Sequence, residues 1–282
     1  MAQDARTVWP APAKLNLMLR IVGRRPDGYH LLQTVFQLLD YGDELEVAVR
    51  ADGVVRRVGD VPGVPSGDDL TVRAARLLKN ETGCPLGADI TVRKRIPLGG
   101  GLGGGSSDAA TTLLALDRLW GLGLSADRLA ALGLQLGADV PVFVRGRSAW
   151  SEGVGEVLTP LELSPTWYAV VRPPCAVSTA AVFADPELTR NSPLITMPAF
   201  FAGSRQNDCL AVVCRRYPEV ARAIAWLGRH GEARLTGTGS CVYAAFDSEA
   251  SAREVIATLP ADYEGFVARG VDRSPVLALG GS

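Results

Sequence analysis

The stretch with the plainest chemical potential is Pro97-Leu98-Gly99-Gly100-Gly101-Leu102-Gly103-Gly104-Gly105-Ser106-Ser107, followed by Asp108. Six of the seven residues from Gly99 to Gly105 are glycine. Glycine loses more backbone freedom on folding than any other residue, so a run this dense is costly to order. Where such a loop opens a helix, bare amides and the positive end of the helix dipole favour an anion. Without β-carbons the backbone can also approach phosphate oxygens closely. The chemistry indicated is a phosphate cradle, and the alternative is a flexible turn. The cradle itself holds no lysine and no free base, so a cation and a carboxylate must come from elsewhere in the chain.

Two residues could supply them, and each has a second reading. Lys14 and Asn16 share a strand parity opposite to Leu15 and Leu17, so they face away from the leucines. Lys14 is then either a solvated charge at a strand end or a charge aimed at a site. Asp139 lies in Gly137-Ala138-Asp139-Val140-Pro141-Val142-Phe143-Val144, after a helical stretch and flanked by apolar residues. It is either a cap or turn former, or a general base where the chain enters the core as a strand. Tyr29 and His30 follow the turn Pro26-Asp27-Gly28. An aromatic and an imidazole there could stack on and hydrogen-bond a base, or form a partly buried structural pair.

The elements that must position these residues follow from periodicity and breakers. Alternating apolar residues predict strands at 9–23, 44–50 and 88–97. Between the first two, an apolar stretch at 31–42 reaches a turn at Tyr41-Gly42-Asp43. Residues 51–69, rich in Gly, Pro and Asp, read as a loop. Helices are expected at 70–80, closed by Gly83, and at 106–120, with Ser106, Ser107 or Asp108 as N-cap. Another helix is expected at 126–136 between Ser125 and Gly137. Strand, turn and strand follow at 148–160, then a short buried strand at 167–172, a polar loop at 184–193 and helices near 207–216 and 219–230. A strand–glycine turn–strand at 234–246, a helix at 249–259 and a strand near 265–271 close the chain. Residues 1–8 read as a loose tail. Strands and helices mix without strict alternation, which favours an α+β arrangement over a doubly wound sheet.

Composition removes several classes. With 47% hydrophobic and 21% charged residues and a net charge of −1, there is no basic field for nucleic acid or an anionic membrane. No apolar run reaches the ~18 residues of a membrane span, and the N-terminal residues lack the apolar core of a signal peptide. The five cysteines show no metal or redox spacing, which points to a reduced, cytoplasmic setting with cysteines as small apolar packers. Two histidines leave little room for a multi-histidine metal centre. The glycine run also fails the standard phosphate templates. Gly99, Gly101 and Gly104 match the spacing of a dinucleotide fingerprint, but Asp127, at the distance of its acidic partner, falls inside a helix. Gly105 stands where a P-loop needs its lysine. The His-Arg-Asp and Asp-Phe-Gly signatures of protein kinases are absent.

Three segments resemble the motifs of the GHMP kinases: Pro12-Ala13-Lys14-Leu15-Asn16-Leu17, the glycine run, and Leu235-Thr236-Gly237-Thr238-Gly239. Asp27-Gly28-Tyr29-His30, the segment around Asp139, and Asn207-Asp208-Cys209 narrow the resemblance to the branch acting on a CDP-linked methylerythritol. It covers nearly the whole chain. The resemblance implies a two-domain α+β fold with the active site in the cleft between domains. The N-terminal, ATP-binding domain at 1–160 would be of the ribosomal-protein-S5-domain-2 type, and the C-terminal domain at 161–282 ferredoxin-like.

It further implies ATP, with Mg2+, as phosphoryl donor. The phosphates would lie on Pro97, Leu98, Gly99, Gly100, Gly101, Leu102, Gly103, Gly104, Gly105, Ser106 and Ser107. Lys94 and Asp69 would lie near the adenine. At Asp69 the family pattern leads one to expect asparagine, and at Asp108 some relatives carry a neutral amide. Lys14 and Asp139 would be catalytic, Asp139 orienting the acceptor hydroxyl and taking its proton, Lys14 stabilising the charge that moves. Tyr29 and Phe183 would sandwich the cytosine and His30 would read its edge. Asn16, Thr179, Thr238 and Gly239 would complete the substrate site. The protein ligands of the metal stay open, with Ser107 and Asp139 as candidates. Small molecules are the expected partners, with no nucleic acid and no membrane, for a cytoplasmic monomer or homodimer serving isoprenoid precursor synthesis by the non-mevalonate route. A non-catalytic nucleotide-binding module is the rival reading, and the presence of both Lys14 and Asp139 argues against it. A dinucleotide oxidoreductase is a more distant one.

Overall fold

The computed structural model describes residues 7–280. Two long strands frame it, β1 (Val8–Arg24) and β2 (His30–Arg50), antiparallel and joined at the Pro26-Asp27-Gly28 turn, where Gly28 has φ +93°. Their pairing shifts register between Pro12 and Lys14 and again between Asn16 and Met18. The second shift inverts the alternation expected from the sequence. Met18 joins Leu15 and Leu17 in one apolar cluster, while Leu19 turns to another side. The turn expected at Tyr41-Gly42-Asp43 does not exist, because β2 runs straight through it. Gly42 pairs with Pro12 at the first register shift, and a β-carbon there would strike the Ala11 backbone. This glycine marks a close approach of two strands.

Next come β3 (Val55–Val58), α1 (Leu70–Thr82) and β4 (Gly87–Arg93). β3 lies within a stretch that reads as loop, and it pairs in parallel with β4 through the α1 crossover. Gly83 ends α1 in the left-handed region, as its sequence predicts, and Asp69, which the resemblance places near the adenine, caps its start. Then follow α2 (Gly104–Leu119), α3 (Ala126–Leu134), α4 (Val140–Arg145), β5 (Ala149–Glu152), β6 (Val157–Pro160) and β7 (Trp167–Arg172). Ser125 caps α3 as expected, but Gln135, not Gly137, closes it. Val140 begins a short helix where a strand was expected, with Pro141 in its first turn. The chain continues with α5 (Thr179–Phe183), α6 (Met197–Phe201), α7 (Leu210–Arg216), α8 (Pro218–Leu227), β8 (Arg234–Leu235), β9 (Val242–Phe246), α9 (Glu249–Ala257), β10 (Glu264–Val271) and α10 (Val276–Gly280). The short α6 and α10 have no counterpart in the sequence reading. Most of the tail expected at 1–8 lies outside the described residues, and Val8 already belongs to β1.

The strands form one sheet in the order β3-β4-β2-β10-β7-β9-β8, with β1 and β5 also on β2 and β6 on β5. β2 is therefore the hub, and β10 links it to the later strands. One apolar cluster packs α1, α2, α3 and α4 on β2 and β4 around Phe36, Ile90, Leu113 and Phe143. Another packs α5, α7, α8 and α9 on β7 and β9 around Val171, Leu227 and Val242. A third joins them and contains Leu15, Leu17, Leu102 and Tyr243. Val276 of α10 returns to the first half, against Trp9, Leu45 and Ala115. No helix of the described residues is long and apolar enough to cross a membrane.

Candidate functional site

The glycine loop is rigidly built. Leu102 is its apolar anchor, buried among Leu15, Leu17 and Ile96. Gly99, Gly101 and Gly103 all have positive φ. Gly101 and Gly103 also sit where a β-carbon has no room. At Gly101 it would strike the Thr236 carbonyl, and at Gly103 it would lie 2.8 Å from the Phe143 ring and 3.1 Å from the Lys14 stem. The second glycine turn braces the first. Cys241 N donates to Gly100 O at 3.1 Å and Thr236 Oγ1 to Gly101 O at 3.3 Å. Lys14 N donates to Leu102 O at 3.0 Å, so the loop is bonded to β1 as well.

α2 starts at this loop without a side-chain cap. Gly103, in the left-handed region, occupies the N-cap position, and none of Ser106, Ser107 or Asp108 does. Those three lie inside the first turns. Ser107 N makes the first helical bond, to Gly103 O at 2.8 Å. The amides of Gly104, Gly105 and Ser106 find no protein acceptor among the described residues, and the first turn holds no acid. Orphan amides at the positive end of a sixteen-residue helix are a seat for an anion.

Lys14 and Asp139 meet in a cavity that Ser106 also lines, with Lys14 Nζ 3.3 Å from Asp139 Oδ2. Lys14 is 3% exposed, so it is not a solvated charge at a strand end. Its ammonium lies 5.4 Å from the Phe36 ring centroid and donates to Asn16 Oδ1. Asp139 precedes α4 without capping it, so its carboxylate is free to face Lys14. Asn16 is itself fixed. Its Nδ2 donates to Thr34 Oγ1 at 2.8 Å and its backbone N to Thr236 Oγ1 at 3.0 Å. Lys14, Asn16, Gly101, Gly103, Ser106 and Asp139 line one cavity of about 310 Å³, together with Thr179, Phe183, Gly237 and Thr238 from the later half of the chain. The Thr179 and Thr238 hydroxyls are 2.8 Å apart. Gly239 stands behind the turn, where an added β-carbon would meet Leu235, Val177 and Val213.

A second cavity of about 540 Å³ adjoins the first through Leu32, Ala138, Val154 and Phe183. Arg24, Asp27, Tyr29 and His30 line it. Tyr29 is 64% exposed. The Phe183 ring does not oppose Tyr29. It stacks on His30, with centroids 4.9 Å apart and planes at 29°. Burial, and then the Arg190 and Arg24 charges, hold the His30 imidazolium pKa below its usual value, so the ring is neutral near pH 7.

The residues expected near adenine have their charges committed inside the fold. Lys94 Nζ is bonded to Asp43 and, at 2.7 Å, to Asp108. Burial alone would lower the Lys94 ammonium, but Asp108 and Asp43 raise it. Asp108 is thus paired with an ammonium that lies close to the start of α2, 3.3 Å from where a β-carbon on Gly104 would sit. Burial pushes its carboxyl up to about 7, with Lys94 opposing and Asp43 adding to the rise. Asp69 accepts from Thr71 N and Thr71 Oγ1 at 2.8 and 2.6 Å and pairs with Arg57 at 2.8 Å. Burial raises its carboxyl, but those bonds outweigh it and hold it below the usual range.

Sequence reasoning names Asn207 only within a motif, with no role, and gives Asp43 and Arg190 none either. Asn207 donates to Leu235 O and Gly237 O, at 3.0 and 2.9 Å, and so holds the second glycine turn. Asp43 accepts the amides of Arg95 and Ile96 at the entrance of the glycine loop. Arg190 bonds the walls of the larger cavity. Each acts across a long stretch of sequence, where local pattern is silent.

Comparison with known proteins follows the same lines. The pattern described as GHMP kinases N terminal domain matches residues 69–147, and that described as GHMP kinases C terminal matches residues 197–265. A protein of Pseudomonas savastanoi pv. phaseolicola (strain 1448A / Race 6), named 4-diphosphocytidyl-2-C-methyl-D-erythritol kinase, is 61% identical over 94% of this chain and 92% of its own length. One of the same name from Halorhodospira halophila (strain DSM 244 / SL1) is 58% identical over 96% and 95%. A crystal structure of 4-(cytidine 5'-diphospho)-2C-methyl-D-erythritol kinase superposes with a TM-score of 0.81 at 34% identity, covering 94% of this chain and 99% of that one. The Methanococcus jannaschii mevalonate kinase shares the fold, with a TM-score of 0.70 at 15% identity over 96% of this chain and 100% of that one.

Proposed function

The chain belongs to the GHMP kinases, and from that premise we infer that it transfers the γ-phosphoryl group of ATP to the 2-hydroxyl of 4-diphosphocytidyl-2-C-methyl-D-erythritol. The products are the 2-phosphate and ADP, in the non-mevalonate route to isoprenoid precursors. The observation that carries this reading is one continuous cleft. It holds the orphan amides of α2, the Lys14–Asp139 pair, and the Tyr29–His30 cavity next door.

The triphosphate lies on residues 97–107, its β- and γ-phosphates on the amides of Gly104, Gly105 and Ser106. The acceptor hydroxyl enters between Lys14 and Asp139. Asp139 accepts its hydrogen bond and aims the oxygen at the γ-phosphorus. A carboxylate is a far weaker base than an alkoxide, so the proton does not leave first. It passes to Asp139 as the new P–O bond forms and the bond to ADP breaks. Lys14 offsets the negative charge on the entering oxygen and the moving phosphoryl group. Asn16 holds the Lys14 ammonium in place, and much of the rate comes from this positioning.

Magnesium fits the site as an ion carried by the nucleotide. Among the described residues there is no cluster of three or more His, Cys, Asp or Glu side chains for a metal. Asp139 is the carboxylate lining the smaller cavity, and the Ser107 hydroxyl is buried with no partner. Such a sparse donor set suits an ion that keeps phosphate and water ligands. When bound, it neutralises charge on the phosphates.

Cytosine occupies the larger cavity, between Tyr29 and Phe183, with His30 on its edge. Phe183 must release the His30 ring for both faces of the base to be covered. Thr179 and Thr238 border the methylerythritol end, and Gly239 supports the turn from behind. Lys94 and Asp69 frame the adenine end through the backbone that their ion pairs fix. The chain divides at 160/161 into an ATP-binding unit and a second unit, with α10 crossing back to the first. The enzyme acts in the cytoplasm, as a monomer or homodimer. The test is ADP production by the purified protein. Release that depends on the cytidine substrate supports the reading. Equal release with mevalonate or homoserine sends it back to the family as a whole.

A further inference from the structure

His30 and Arg190 lie 160 residues apart in sequence, yet Arg190 Nε donates to His30 Nε2 at 3.3 Å. The rest of that guanidinium is fixed by carbonyls. Nη1 donates to Leu188 O at 3.1 Å, and Nη2 to Phe183 O and Asp185 O at 2.9 and 2.7 Å. Arginine is all donor and stays charged, so it can neither accept a proton from the imidazole nor turn an acceptor toward it. A histidine nitrogen that receives an arginine N–H must be bare. In a neutral ring the proton then sits on the other nitrogen. His30 Nδ1 has no protein partner among the described residues and is not one of their buried unpartnered atoms. It remains open at the wall of the larger cavity that His30 lines.

We propose that Arg190 is a specificity-determining positioning residue that fixes His30 as the Nδ1–H tautomer, so that the cavity offers a hydrogen-bond donor to N3 of a cytosine. The proposal rests on the cytidine reading of the cavity. Cytosine N3 is an acceptor and matches that donor. Uracil carries a proton on N3 and would set donor against donor, leaving both unpaired. Arg190 also joins the two walls of the site, since it bonds the His30 ring and the Phe183 backbone while those rings stack. The charges around His30 agree with a neutral ring. Arg190 reaches it from the loop after α5 and Arg24 from the end of β1, while Asp27 lines the same cavity from the turn.

The test separates this inference from the function it rests on. Nitrogen-15 NMR of the labelled free protein reads the tautomer with no substrate present. His30 and His230 are the only histidines of the chain, and a His230→Gln variant assigns them. The expected result is a bare Nε2 and a protonated Nδ1 at His30 in the native protein, and a mixed or reversed tautomer in Arg190→Met. A native His30 protonated at Nε2 overturns the proposal whether or not any variant folds. In kinetics, Arg190→Met should raise KM for the CDP-linked substrate about tenfold, with kcat changed about twofold or less, and should erase most of the preference over a UDP-linked analogue. Arg190→Lys keeps a donor and should keep that preference. Preference unchanged in Arg190→Met contradicts the proposal. A native protein that phosphorylates neither substrate refutes the cytidine reading, while the NMR result still stands or falls alone.

Discussion

The two ends of the cleft are built differently. At the end proposed for phosphoryl transfer, Lys14 stands on the longest strand pair, the glycine loop is bonded to β1 and to a second glycine turn, and Asn16 is held on both sides. At the recognition end, Tyr29 is exposed on a tight turn and Phe183 lies on His30 at the end of the five-residue α5. Phosphoryl transfer needs reacting groups held within fractions of an ångström, and the residues proposed for it sit on elements fixed by the core. Recognition of a flat base tolerates rings that move on binding, and loops supply them. The contrast predicts that damage at the transfer end lowers kcat, whereas damage at the recognition end raises KM.

The largest effect should come from Lys14→Met, with kcat reduced about 10³-fold and cytidine-substrate binding nearly unchanged. A loss confined to KM would erase the distinction between the two ends. Next is a matched pair of glycines with positive φ. Gly101→Ala adds a β-carbon into the Thr236 carbonyl, whereas at Gly28 the nearest atom is the far end of Arg24 at 3.6 Å. Thermal unfolding should show Gly101→Ala losing about 3 kcal/mol or more and Gly28→Ala about 1–2 kcal/mol. Equal losses would mean that the two ends are equally braced. Tyr29→Ala should raise KM for the cytidine substrate about tenfold with kcat retained, in line with base–aromatic stacking, and unchanged KM would remove the ring from recognition.

The smallest effect belongs to Asp108→Asn, beneath the transfer end. The Asp108 carboxyl titrates about 7 in the fold, above the ~3.9 of an unfolded aspartate. A raised carboxyl costs the native state stability as pH climbs from the unfolded value through the folded one. The amide removes that cost, so the melting-temperature gain of Asp108→Asn should be small at pH 5 and grow to a few degrees at pH 8. A gain that is larger at low pH would reverse the assigned sign.

Much of this was legible in the sequence for local reasons. The glycine run, the Ser125 cap, Gly83 and the strand character of β1 are all patterns within a few residues. What escaped was set by neighbours far along the chain. Gly42 looks like a turn, yet it serves the Ala11 backbone on the next strand. Ser106, Ser107 and Asp108 look like caps, but the left-handed Gly103 leaves the helix start open for an anion. Val140 to Val144 read as strand because their apolar run fits either element, and Pro141 in the first turn made it a helix. Lys14 could not be told from a surface charge until β2, Phe36 and Asp139 closed around it.

The most direct test of the transfer site is a single-turnover measurement on Asp139→Asn with ATP and the CDP-linked alcohol, beside ATP titration of the same protein. The expected result is phosphoryl transfer slowed at least about 10²-fold, with ATP affinity within about twofold of the native protein. Transfer at a near-native rate would contradict the role of Asp139 and, with it, the pairing of Lys14 and Asp139 as the catalytic centre.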